Sequence, residues 1–440
     1  MADRLPIDLT NYGRLVEEAR PIRRQGRVCQ VVGLTLEVQG INAPLGEVCY
    51  VSTRGNGLLP AEIVGFREER VLLMPLGEMQ GIQAGSPVTA SGRLMTVPVG
   101  PQLLGRVLDG LGRPLDGKGP IIASERYPTV REAPHPLRRT PITEPMPTGV
   151  RAIDGLLTCG AGQRIGIFAG SGVGKSTLMG MIARNSRSDI SVIGLIGERG
   201  REVQEFIDRD LGEEGMRRSV VVVSTSDEPP LIRLKGALVA TAIAEYFRDQ
   251  GKDVTFLMDS VTRFAMAQRE VGLATGEPPA TRGYTPSVFA ALPKLMERAG
   301  TSEHGSITGF YTVLVEGDDF NEPVTDTARS VLDGHIVLSR DLAAENHYPP
   351  IDVGPSVSRL MSTIASVEHK RAAAAAREVL AVYNRARDLV DIGAYAPGSN
   401  PEIDRALRLM PKLRAYLQQE PSEAVPFEEA VGQLAAIFQN

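Results

Sequence analysis

Lys175 and Ser176 close the run Ala169-Gly-Ser-Gly-Val-Gly-Lys-Ser176, which has the chemistry to hold phosphate. Gly170, Ser171, Gly172, Val173 and Gly174 can turn backbone N–H groups inward around phosphate oxygens, and a helix starting there adds the favourable end of its dipole. Lys175 would neutralise the β/γ-phosphates of a nucleotide, and the Ser176 hydroxyl would help to hold Mg2+. Thr177 completes the nucleotide-binding candidates at the helix start. The flanking residues suit this role. Ile165-Gly-Ile-Phe168 reads as a buried strand, and Thr177-Leu-Met-Gly-Met-Ile-Ala-Arg184 as the first turns of a helix. Strand, glycine-rich turn, Lys-Ser and helix is the P-loop arrangement. Ala169 stands where the strict pattern has its first glycine.

Such a site needs an acid on the magnesium side and a group to handle water. Val254-Thr-Phe-Leu-Met-Asp259 is an apolar strand ending in a carboxylate, the Walker B pattern; Asp259 could also simply cap the next helix. Glu198 and, second, Glu202 lie in Gly197-Glu-Arg-Gly-Arg-Glu202 after another strand, where they could orient and polarise a water. The same charges also suit a solvated helix start. Arg263 could contact phosphate or tie the acidic cluster together. Further on, Tyr348 beside Pro349 and Pro350 is a stiff plate suited to stacking on adenine, or to packing. Arg359 is a candidate arginine finger, which stabilises charge developing on a transferred phosphoryl group.

The elements that must position these residues fall into an order. Residues 1–25 read as an N-terminal arm with a short helix near Tyr12–Ala19. From 26 to 95, short β-rich runs separated by Gly, Asn and Pro at about 8–12-residue intervals read as a β-barrel domain. Residues 96–360 form the P-loop core. Its opening stretch, to about 150, is rich in Pro and Gly and reads as a connection that wraps without regular helices. Beyond it, strands at 190–196, 219–224, 254–258 and 306–315 alternate with helical patterns, which implies a mostly parallel sheet covered by helices. Residues 361–440 carry only helical patterns. The fold class is therefore α/β, with an N-terminal β-barrel and a C-terminal helical domain.

Bulk properties narrow the function classes. The chain has 440 residues, with 42% hydrophobic and 23% charged residues, typical of a soluble protein of several domains. No apolar stretch approaches a membrane span, and the N-terminus lacks a signal-peptide pattern. Cys29, Cys49 and Cys159 have no metal-binding spacing and suit reduced thiols, so a cytoplasmic location is expected. A net charge of −5, no Trp and 5% aromatic residues argue against a dedicated nucleic-acid binder.

Taken together, the motifs resemble the α/β-subunit superfamily of rotary and secretion ATPases. Pro349-Pro-Ile-Asp-Val-Gly-Pro-Ser-Val-Ser358 matches its signature, and Gly26–Leu34, Gly166–Ser176 and Gly276–Phe289 match the flagellum-specific branch of type III export, over about residues 26–440. Ala169 is usual in that branch. The resemblance implies a RecA-like core and a homohexamer with ATP sites at subunit interfaces. It gives Glu198 the water-activating role and Asp259 the Walker B role. It also puts Arg263 near the phosphates, Arg359 as the finger and Tyr348 against adenine. Implied partners are a stator-like negative regulator on the N-terminal arm, a coiled-coil stalk protein in the ring centre, a membrane export gate with peripheral docking, and chaperone-delivered substrates. The implied work is release and unfolding of those substrates. The injectisome ATPase of virulence secretion is the near alternative, and Val390–Asp404 looks more like the flagellar branch. A rotary ATP synthase-type catalytic subunit and a Rho-like hexameric nucleic-acid motor are the more distant alternatives.

Overall fold

The computed structural model describes residues 24–55, 57–315, 319–320 and 322–439. Most of the expected arm, including its helix near Tyr12–Ala19, lies outside the described residues. The chain divides into two compact units, Met1–Met95 and Thr96–Asn440.

In the first unit six strands close a barrel in the order β1-β2-β5-β4-β3-β6. They are β1 (Gln25–Val32), β2 (Thr35–Gln39), β3 (Glu47–Ser52), β4 (Leu58–Arg67), β5 (Arg70–Pro75) and β6 (Pro87–Leu94). Alternating side chains fill the interior, as the period of two requires: Val28, Cys49, Val51, Ile63 and Val88 are buried. Closure leaves no free sheet edge. The apolar runs announce the first five strands but not β6. Its Thr89-Ala-Ser-Gly-Arg93 stretch lacks a β-branched pattern, and Gly92 has a φ of 70°.

The second unit is built on a nine-stranded sheet whose main path runs β17-β16-β10-β15-β13-β11-β12-β8. The strands are β8 (Arg106–Asp109), β10 (Arg164–Ala169), β11 (Ile190–Glu198), β12 (Ser219–Thr225), β13 (Asp253–Asp259), β14 (Gly300–Thr301), β15 (Ser306–Leu314), β16 (Gly334–Leu338) and β17 (Ile351–Ser358). All pairings are parallel except β17 on β16 and β14 on β15. Central strands such as β11 are buried along nearly their whole length, so they read as continuous apolar runs rather than alternating ones. The Pro/Gly-rich stretch contributes more than a connection. Its Arg106–Asp109 adds β8 to the sheet edge beside β12, and β7 (Thr96–Val99) pairs with β9 (Glu125–Pro128) in a separate ribbon.

After Leu360 the described chain is helical, with long helices at Val367–Asp391, Pro401–Leu417 and Phe427–Ala436. Ala376, Val379, Leu413 and Leu434 belong to one buried cluster with Ile165 and Leu178 of the phosphate-loop region, so the helical segment and the sheet share a core. Among the described residues no helix is long and apolar enough to cross a membrane. All three cysteines are free.

Candidate active site

Parallel strands deliver their C-terminal ends to one edge of the sheet, and the candidate residues collect there. Ala169 is the last residue of β10, buried and paired with Leu314 of β15 on one side and Leu338 of β16 on the other. A strand position needs no glycine, which accounts for Ala169 physically. The glycines that matter come next. Gly172 and Gly174 have φ of 78° and 91°, in the left-handed region that a side chain would strain. Helix Lys175–Asn185 starts directly after Gly174.

Asp259 and Glu198 end the neighbouring strands β13 and β11, in register with Asp259 opposite Leu195. Between them stands Lys175, whose Nζ lies 2.5 Å from Asp259 Oδ1 and 3.7 Å from Glu198 Oε1. Thr312, on β15 at the other side of β13, donates from Oγ1 to the same Asp259 Oδ1 at 2.7 Å. Burial alone would disfavour the Lys175 ammonium, but Asp259 and Glu198 outweigh it and hold its pKa above the ordinary lysine value. Burial pushes the Glu198 carboxyl up to about 8; the charge on Asp259 and a hydrogen bond with Glu202 add to the rise, and Lys175 opposes it. Burial and the neighbouring acidic groups thus favour the protonated form of Glu198, and the Lys175 ammonium favours the ionised one.

Arg263 comes from helix Val261–Thr275, with its methylenes packed over Gly197; a Cβ on that glycine would meet Arg263 Cβ at 2.8 Å. Its Nε is buried with no hydrogen-bond partner among the described residues. Lys175, Ser176, Glu198 and Arg263 line one cavity of about 570 Å3 with Gly170 and Ser171. A second cavity of about 530 Å3 adjoins it through Gly174, Thr177 and Arg209, and is walled by Tyr348, Met181 and Gln419. Tyr348 is 43% exposed with its ring edge near Gly174, where an added Cβ would lie 3.6 Å from Tyr348 Cε1. Gln419 fixes that wall by donating its backbone N–H to Tyr348 O at 2.9 Å. A cavity lined by the glycine-rich loop, Lys175 and several arginines, bordered by a partly apolar one, has the chemistry to take a nucleotide with phosphates in the first and base in the second.

Arg359 is not in this cleft. Strand β17 runs antiparallel to β16, with Ile351 opposite Leu338 and Ser358 opposite Gly334. Leu338 is level with Ala169 and the loop. Arg359 therefore emerges at the opposite end of the sheet, roughly 13 Å along the strand from its own phosphate loop at ~3.3 Å per residue. It is exposed there, and among the described residues only its backbone is tied, N to Asp333 O at 3.0 Å.

The sequence motifs do not flag Thr312, Arg209, Arg340 or the Gln418–Pro421 segment, all of which the fold brings to the cleft or to its acidic cluster. For Arg340 a usable signal exists: it follows the apolar strand Gly334–Leu338, just as Asp259 ends β13.

Comparison with known proteins agrees with this arrangement. Residues 149–358 match the nucleotide-binding domain of the ATP synthase alpha/beta family, residues 28–92 its β-barrel domain, and residues 365–436 the C-terminal domain of the type III secretion ATPase EscN. The flagellum-specific ATP synthase of Bacillus subtilis is 53% identical over 427 residues, covering 97% of this chain and 98% of that protein. The type 3 secretion system ATPase of Xanthomonas euvesicatoria is 53% identical over 416 residues, covering 94% of each. The solved structure of assembled EscN in complex with its central stalk EscO, from enteropathogenic Escherichia coli, superposes with a TM-score of 0.87 at 45% identity, covering 94% of this chain and 99% of that one. The chain belongs to the ATP synthase α/β family, in its branch of flagellar and type III secretion ATPases.

Proposed function

We propose that this chain is the Mg2+-dependent ATPase that energises flagellar type III protein export, hydrolysing ATP at the subunit interfaces of a homohexamer. The observation that carries the interface assignment is the separation within one chain: the phosphate loop lies at one end of the sheet and Arg359 at the other. A finger that cannot reach its own cleft is suited to a neighbour's.

Within the site, Gly170, Ser171, Gly172, Val173, Gly174 and Thr177 cradle the phosphates, and Lys175 leaves its carboxylate partners to neutralise them. Among the described residues no cluster of three acidic, His or Cys ligands exists. Mg2+ does not need one, since it keeps waters and phosphate oxygens and takes one or two protein ligands. A hydroxyl lining the cavity, Ser176, and a buried carboxylate, Asp259, fit that demand. The ion supplies charge neutralisation between phosphate oxygens when bound. Glu198, once deprotonated, orients and polarises the attacking water. Arg263 lines the same cavity, with a buried Nε that has no partner among the described residues, and contacts the same phosphates. Tyr348 packs against adenine, and Arg359 of the adjacent subunit stabilises the transition-state charge.

As partners we propose a coiled-coil stalk at the ring centre, by analogy with the EscN–EscO complex. A stator-like regulator of the N-terminal arm, a membrane export gate with peripheral docking of the cytoplasmic ring, and chaperone-delivered substrates that the ring helps to release and unfold complete the proposal. Flagellar and secretion relatives match at the same 53% identity, so the flagellar assignment rests on the Val390–Asp404 segment. Deleting the gene tests it: loss of motility with intact oxidative phosphorylation is expected, and normal swimming would overturn it.

A further inference from the structure

Arg340 opens the short helix Arg340–Ala344, whose first turn is capped by Ser339 accepting from Leu342 N. Because β16 lies parallel beside β10 with Leu338 opposite Ala169, Arg340 comes out at the same sheet edge as the phosphate loop. Its guanidinium sits against the loop's opening residue: a Cβ built on Gly170 would lie 2.8 Å from Arg340 Nη2. It lines the phosphate cavity with Ser171, Lys175, Glu198 and Arg263. Lys175 has Asp259 and Glu198 as partners, whereas among the described residues no carboxylate pairs with Arg340. A guanidinium left without a counter-charge beside a phosphate loop points to an anion that arrives with the ligand.

The two cavities give the ligand a direction. The base cavity touches the loop at Gly174 and Thr177 but not at Gly170 or Ser171, which border only the phosphate cavity. A nucleotide with its base by Tyr348 therefore lays its last phosphate beside Gly170, under Arg340. We propose that Arg340 binds the terminal phosphate and distinguishes ATP from ADP, an inference that rests on the ATP-site assignment above. Lys175, deeper in the loop, reaches the β-phosphate and is felt by both nucleotides. Arg340 has a planar fork that fits two oxygens of the γ-phosphoryl group at this end of the cavity, and that group exists only in the triphosphate.

The test is calorimetric titration of the full chain with Mg2+-ADP and with a non-hydrolysable Mg2+-ATP analogue. Arg340→Gln should weaken the analogue roughly tenfold to a hundredfold, the loss expected for a charge-assisted hydrogen bond, and leave ADP within about twofold. Arg340→Lys should restore part of the analogue affinity. Equal losses for both nucleotides would mean that Arg340 merely props up the loop, and no loss for either would mean no contact; each overturns the proposal. Lys175→Ala, run in parallel, should weaken both ligands. If the unsubstituted chain bound neither nucleotide, the ATP-site assignment itself would fall, a result distinct from any change confined to Arg340.

Discussion

Mixing two inactive variants separates a site completed by a neighbour from one complete within a chain. Lys175→Ala removes the cation that stands 2.5 Å from Asp259 and lines the proposed phosphate cavity, and Arg359→Ala removes a side chain at the far end of the sheet. Each homogeneous ring should be nearly inactive; loss of an arginine finger costs about 10³–10⁵ in kcat. In a random equimolar ring, a working interface needs an intact loop from an Arg359→Ala subunit facing an intact finger from a Lys175→Ala subunit. Each condition holds for half of the subunits, so about a quarter of the interfaces in such a head-to-tail ring are competent. For sites that fire independently, phosphate release should recover to about a quarter of the unsubstituted rate, far above the sum of the two variants. The assay is steady-state phosphate release after the two proteins are dissociated, mixed and reassembled, with mixed rings verified by native mass spectrometry. Mixed rings that stay as inactive as either parent would refute the assignment of Arg359 to the neighbouring site.

Glu198→Gln should bind ATP but turn it over very slowly; near-normal turnover would transfer the water-positioning role to Glu202 or another group. Since burial raises the Glu198 pKa to about 8, kcat/KM of the unsubstituted enzyme should rise with pH through about 8 as this carboxyl ionises. A flat profile from pH 7.5 to 9 would contradict its role as base. Thr312→Val keeps the volume of a fully buried side chain but removes the donor to Asp259, so the Mg2+ concentration for half-maximal turnover should rise; an unchanged Mg2+ titration would count against Asp259 as the metal-side acid. Glu245→Gln breaks the bidentate pair with Arg298, at 2.8 and 2.7 Å with both side chains buried, and should cost about 3–5 kcal/mol of stability without touching the cleft. A loss below about 1 kcal/mol in denaturant titration would show that Arg298 is satisfied by its other partner, Thr129 O.

What the sequence made legible follows from where chain-local rules apply. The glycine-rich loop, Asp259 and Glu198 are each marked by an apolar run that ends abruptly in the candidate residue, and in a parallel sheet such ends share an edge. Thr312 is invisible to that logic, and Arg340, two residues past the end of β16, is marked by it only as one of several residues after an apolar run. Thr312 reaches Asp259 only because β15 lies next to β13, and Arg340 reaches Gly170 only because β16 lies next to β10. Strand order is a tertiary property that periodicity does not carry. The wall from Gln418 to Pro421 meets Tyr348 across some 70 positions of chain for the same reason. Strand β8 carries no local signal, because four residues between Gly105 and Gly110 look like part of a turn-rich segment; pairing with β12 makes them a strand. Strand β17 was legible as a signature but not as a strand, since Asp352, Gly354 and Pro355 interrupt its pattern and Pro355 is tolerated only at the sheet edge that β17 occupies.

The central claim is that this chain by itself assembles the composite sites that hydrolyse ATP. Specific ATPase activity of the purified chain, measured across protein concentration with the oligomeric state followed by sedimentation, tests it most directly. Activity per subunit should climb as monomers give way to rings, because each loop gains a neighbour's Arg359. Constant activity per subunit from monomer to ring, or turnover that appears only when a second, non-identical subunit is added, would contradict it.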